Sequence, residues 1–108
     1  MIIADFLTDK DGELTGFRIS GHSGYADEGG DIVCSAVSAM AYMTANTITE
    51  VLCLSPEIKT DDGLMSLFLK NGDEKKCGVI LKGFYLQMSE LQKEYPKFLR
   101  VKRGVENA

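Results

Sequence analysis

Residues 2–8 alternate in polarity. Ile2, Ala4 and Phe6 would share one face of an extended chain, and Ile3, Asp5 and Leu7 the other. Residues 14–20 repeat the pattern, with Phe17 and Ile19 set against Arg18 and Ser20. Asp9-Lys10-Asp11-Gly12 between them is turn chemistry, so the two runs predict a β-hairpin. Residues 21–30 hold four glycines and no aliphatic side chain larger than Ala26, which predicts a loop. The period then changes. Val33, Val37, Met40, Ala41, Thr44, Ile48 and Val51 fall on one stripe, predicting a helix over 31–54 with Asp31 as N-cap and Pro56 past its end. Strands near 56–60 and 64–70 follow, joined by Thr60-Asp61-Asp62-Gly63. Asn71-Gly72-Asp73 breaks the chain. A second helix is predicted over 74–94, its inner stripe Cys77, Leu81, Phe84, Met88, Leu91 and Tyr95, with Pro96 as its stop. Residues 97–105 supply material for one short edge strand.

The predicted order is ββαββα(β). One-sided hairpins and one-striped helices bury their apolar faces against each other, so the expected fold is α+β. It is a two-layer sandwich of two helices on a mostly antiparallel sheet. A chain of 108 residues supports one core, hence a single domain over 1–108. The opening MIIADFL reads as a strand and not as a leader with a charged start and long apolar run, so no secretion signal is expected. No uninterrupted apolar run approaches the roughly 20 residues of a membrane span. Cysteines 34, 53 and 77 are odd in number and widely spaced, unlike a disulfide framework or a zinc site. The expectation is a cytoplasmic protein with reduced thiols and no metal. A net charge of −4 counts against direct nucleic-acid binding and suits a basic peptide or protein partner.

Candidate chemistry concentrates in residues 21–38, GHSGYADEGGDIVCSAVS, which include the only histidine, His22. With Asp31 as N-cap, Cys34 takes the third helical position. Unpaired N–H groups and the helix dipole favour a thiolate there. An imidazole brought alongside can take the thiol proton and return it. Backbone N–H groups at the helix start, that of Cys34 among them, are candidate oxyanion donors. Asp31 either caps the helix or orients His22; a carboxylate beside the thiolate would itself oppose ionisation. Ser38 stands one turn from Cys34 on the same face, as a hydrogen-bond donor near the site or as a solvent-facing serine. Gly21, Gly24, Gly29 and Gly30 would let the loop bend sharply and approach a substrate backbone. Tyr25 either closes over an extended peptide or packs on the surface. The loop lacks the Lys-Ser/Thr ending of a phosphate loop, and Asp27, Glu28 and Asp31 would repel phosphate but attract Lys or Arg. Cys53 and Cys77 read as structural.

Gly21-His22 followed by Gly30-Asp31-Ile32-Val33-Cys34-Ser35-Ala36-Val37-Ser38 resembles the signature of the ribosomal-processing cysteine protease (Prp) family of bacteria. The resemblance extends along the whole chain. It implies a cysteine endopeptidase with a Cys34–His22 pair and no metal or organic cofactor. It further implies a ribosomal protein precursor as substrate: large-subunit protein number twenty-seven, relieved of a short N-terminal extension by a cut after an aromatic residue. A homodimer is implied as well. Two rival readings are a ribosome-associated module that grips a peptide without cutting it, and a thiol-based acyl transferase.

Overall fold

A computed structural model describes residues 1–22 and 30–105. Strands β1 (Ile2–Thr8) and β2 (Leu14–Ser20) form the first hairpin, at the expected bounds. Helix α1 (Gly30–Asn46) continues into a π turn, Thr47–Val51. Strands β3 (Glu57–Asp61) and β4 (Leu64–Phe68) form the second hairpin, followed by helix α2 (Gly78–Glu94) and strand β5 (Leu99–Val105).

The five strands form one sheet in the order β3-β4-β2-β1-β5. Three of its pairings are antiparallel, and β5 lies parallel to β1 at the edge. The α+β two-layer expectation therefore holds. Register explains the core. Phe6 pairs with Phe17, Phe17 with Leu67, and Ile2 with Leu99, so these side chains share one face of the sheet. Both helices cover that face: Val33, Val37 and Ala41 of α1 and Ile48 of the π turn join Leu81, Phe84 and Met88 of α2 in one buried cluster. Phe84 meets Phe6 and Phe17 edge-on, at centroid distances of 5.2 and 5.0 Å, and ties α2 to the first hairpin.

Several boundaries differ from expectation, among them that of β4, which ends at Phe68 and not at 70. Helix α1 begins at Gly30, one residue early, so Gly30 belongs to the helix and not to the loop. Its α-helical part ends at Asn46, where the hydroxyls of Thr44 and Thr47 donate to the carbonyls of Met40 and Met43, a bonding pattern that bends helices. Past the π turn, the N–H of Leu52 reaches back five residues to the carbonyl of Thr47. The extra residue rotates Val51 off the inner stripe and leaves it 74% exposed. Residues 74–77 form turns instead of a first helical turn, so α2 starts at Gly78. The expected short edge strand is a full seven-residue β5. Gln92 guards that edge, its side-chain oxygen accepting the N–H of Val101.

By length and mean hydropathy the stretch Ile32–Val51 could cross a membrane, although Ser35, Ser38, Asn46 and Glu50 interrupt its apolar run. Its inner side belongs to the core described above.

Candidate active site

β2 hands the chain to Gly21 and His22. In the β2–β4 register Ser20 pairs with Leu64, so the next residues, 21 and 22, run beside the β3–β4 turn. The N–H of Gly21 donates to the carbonyl of Gly63 at 2.9 Å. Gly21 has φ +88°, and a Cβ there would collide with the carbonyl oxygen of Met1. Only glycine meets both demands without strain. The amino group of Met1 donates to the carbonyl of His22 at 2.7 Å. The imidazole is 59% exposed, with Nε2 3.8 Å from Oδ1 of Asp62, itself 97% exposed. That is an ion-pair distance when the ring is protonated, longer than a hydrogen bond.

Cys34 stands on α1, half-buried against the edge of the core cluster. Because α1 starts at Gly30, Cys34 is the fifth helical residue and not the third. This changes the local chemistry. The first four N–H groups of a helix have no intrahelical acceptor, but the fifth does. The N–H of Cys34 therefore belongs to the helical ladder; among the described residues, the unpaired N–H groups of the helix start are those of residues 30–32. Asp31 is the second helical residue and not the N-cap.

His22 and Cys34 line one cavity of about 180 Å³ between α1 and the second hairpin. Gly21 and Ser38 line it too, and Ser38 is exposed there. The cavity has an apolar side, with Ile19, Val37, Ala41 and Met65, and an acidic corner at Asp61. The fold thus brings together Gly21, His22, Cys34 and Ser38. Gly24, Tyr25 and Gly29 lie outside the described residues, and so does the substrate-closing role considered for the loop. Among the described residues, no three His, Cys, Asp or Glu side chains are grouped to hold a metal. Reading the sequence missed Asp62 and Gly63 as neighbours of the imidazole. The turn itself was visible; its partner was not, because β2–β4 pairing joins residues more than 40 positions apart.

The remaining cysteines differ from each other. Cys77 is fully buried, as a structural residue should be. Cys53 is exposed just beyond the π turn, at φ 56°, so it contributes no core packing.

Residues 1–100 match the family of cysteine proteases named Prp. The chain belongs to this family. Two proteins named ribosomal processing cysteine protease Prp are similar to it along nearly their whole lengths. That of Staphylococcus aureus is 27% identical over 103 residues, covering 94% of this chain and 97% of the relative. That of Bacillus subtilis is 24% identical over 111 residues, covering 97% and 99%. Among solved structures, a Streptococcus mutans protein matches with a TM-score of 0.86 at 27% identity, covering 98% of this chain and 99% of that one. The S. aureus Prp protease crystallised with a covalently linked product peptide matches with a TM-score of 0.82, also at 27% identity, covering 95% and 99%. The order of strands and helices described above is thus the Prp fold, and the chain is a cysteine protease by family.

Proposed function

We propose that this protein is the endopeptidase that trims the N-terminal extension from large-subunit ribosomal protein number twenty-seven, with Cys34 as nucleophile and His22 as base and acid. One observation carries the assignment of residues: the only imidazole of the chain and a half-buried thiol line the same cavity. The family supplies the class of chemistry, and the names of the relatives supply ribosomal processing. A covalently linked product peptide on a structural neighbour supports attack by a protein nucleophile.

The steps follow from the groups present. His22 takes the Cys34 proton, and the thiolate attacks the scissile carbonyl. Unpaired N–H groups in the first turn of α1 face the developing oxyanion. Protonated His22 then gives its proton to the departing amine, leaving a thioester on Cys34 that water hydrolyses. Ser38, one turn on, offers a hydroxyl to the same cavity. The apolar side of the cavity suits an aromatic residue before the cut, and the net charge of −4 suits a basic precursor. A homodimer in the cytoplasm completes the reading, and sedimentation of the purified protein tests the dimer.

The deciding assay incubates the extended ribosomal precursor with the protein and with Cys34→Ala and His22→Ala variants. The expected result is cleavage by the unaltered protein alone, with Cys34→Ala still binding the precursor. Binding without cleavage in all three samples would instead mark a peptide-gripping module.

A further inference from the structure

The β3–β4 turn lies against the ring of His22. A Cβ built on Gly63 would lie 2.6 Å from Nε2 and 3.2 Å from both Cδ2 and Cε1. Three ring atoms therefore occupy the space that any other residue at 63 would fill. The backbone is tied at the same place by the hydrogen bond from Gly21 to the Gly63 carbonyl. The neighbouring carboxylate, Asp62, faces Nε2.

We infer that the Asp62-Gly63 turn is the seat of the imidazole: Gly63 positions the ring, and the negative charge of Asp62 favours the proton on Nε2. That leaves Nδ1 as the nitrogen that exchanges a proton with Cys34. The inference rests on the reading of His22 as base. When the thiol proton reaches Nδ1 the ring carries N–H on both nitrogens, and the positive charge forms beside the Asp62 carboxylate. Both are positioning residues, since neither needs to touch the peptide.

A plain alternative is that Gly63 serves only its own left-handed backbone, at φ +69°. The molecule contains a control. Gly12 has a similar φ of +82° in the β1–β2 turn, yet a Cβ there would meet nothing within 4 Å. Gly12→Ala imposes backbone strain alone, whereas Gly63→Ala imposes comparable strain and also displaces the ring.

The test compares Gly12→Ala, Gly63→Ala, Asp62→Ala and His22→Ala in thermal melts, in turnover of the extended precursor and in long-range 1H–15N NMR of the imidazole. Melting temperatures of the two glycine variants should fall by similar amounts. Only Gly63→Ala should shift the imidazole signals and lower kcat, by about tenfold to a hundredfold, the cost of a misplaced catalytic group. Asp62→Ala requires no backbone change, so it keeps the test alive if Gly63→Ala does not fold. It should reduce the Nε2–H tautomer and lower kcat by about two- to fivefold, a loss erased in about 1 M salt because the carboxylate is solvent-exposed. Unchanged imidazole signals and kcat in Gly63→Ala, beside loss of cleavage in His22→Ala, overturn the seat and leave the catalytic reading intact. Continued cleavage by His22→Ala overturns that reading instead, and the imidazole signals still decide whether Gly63 seats the ring.

Discussion

Each helix begins near a cysteine, and the two thiols have opposite surroundings. Cys34 is the fifth residue of α1, half-buried on a cavity shared with His22. Cys77 immediately precedes α2 and is 0% exposed. Burial pushes the Cys77 thiol above its ordinary value, and the charges of Asp73 and Glu74 push the same way against a smaller opposing effect of Lys76. A helix N-terminus therefore does not by itself make a nucleophile. At Cys77 the loss of solvation outweighs what a helix dipole offers, and the thiol stays protonated packing material. At Cys34 the fold supplies an open cavity with the imidazole of His22 along its wall.

The largest expected effect separates the two thiols by function. Cys34→Ala should lower turnover of the precursor by about 10³-fold or more, as loss of a nucleophile does. Cys77→Ala should keep turnover within about twofold and cost about 1 kcal/mol of stability in urea unfolding. Phe84→Ala sharpens the contrast between scaffold and cleft. It removes the ring that ties α2 to Phe6 and Phe17, and should cost about 3–5 kcal/mol by the same unfolding measurement.

Alkaline pH offers a subtler break. The folded Cys77 thiol holds its proton more tightly than an unfolded thiol with the ordinary value of 9.0. Its contribution to stability is thus fully present below pH 9.0 and is lost as pH climbs from there through the higher folded value. Thermal midpoints should fall more steeply above that point for the unaltered protein than for Cys77→Ala; parallel curves would remove the burial argument. The smallest effect belongs to Ser38→Ala. Loss of one hydroxyl at the cavity should lower kcat/KM by about fivefold or less, with no change in stability.

Local patterns were readable in the sequence, and distant pairings were not. Alternation placed β1 and β2 at their observed bounds. Helical spacing identified Val33, Val37, Ala41 and Ile48, and then Cys77, Leu81, Phe84 and Met88, as core. The same spacing misplaced Val51, because nothing in a stripe announces the π turn that threonine back-bonding accompanies. Asp31 was a reasonable N-cap by residue type, but the helix starts at Gly30, a residue chosen for the loop on its flexibility. The parallel seat of β5 beside β1 depends on a connection through α2 that no local signal encodes. Within the candidate site, motif spacing singled out His22 and Cys34 and the fold set both on one cavity. Asp62 and Gly63 entered only through the register of β2 on β4.

The proposed mechanism requires the imidazole to activate the Cys34 thiol within the cavity they share. Iodoacetamide labelling of the folded protein, followed residue by residue by mass spectrometry below about pH 7, tests it most directly, because ordinary thiols are almost wholly protonated there. Exposed Cys53 serves as the reference thiol within the same molecule. Cys34 should label well ahead of Cys53, Cys77 should not label, and His22→Ala should erase the lead of Cys34. Equal labelling of Cys34 and Cys53, unchanged by His22→Ala, would contradict it.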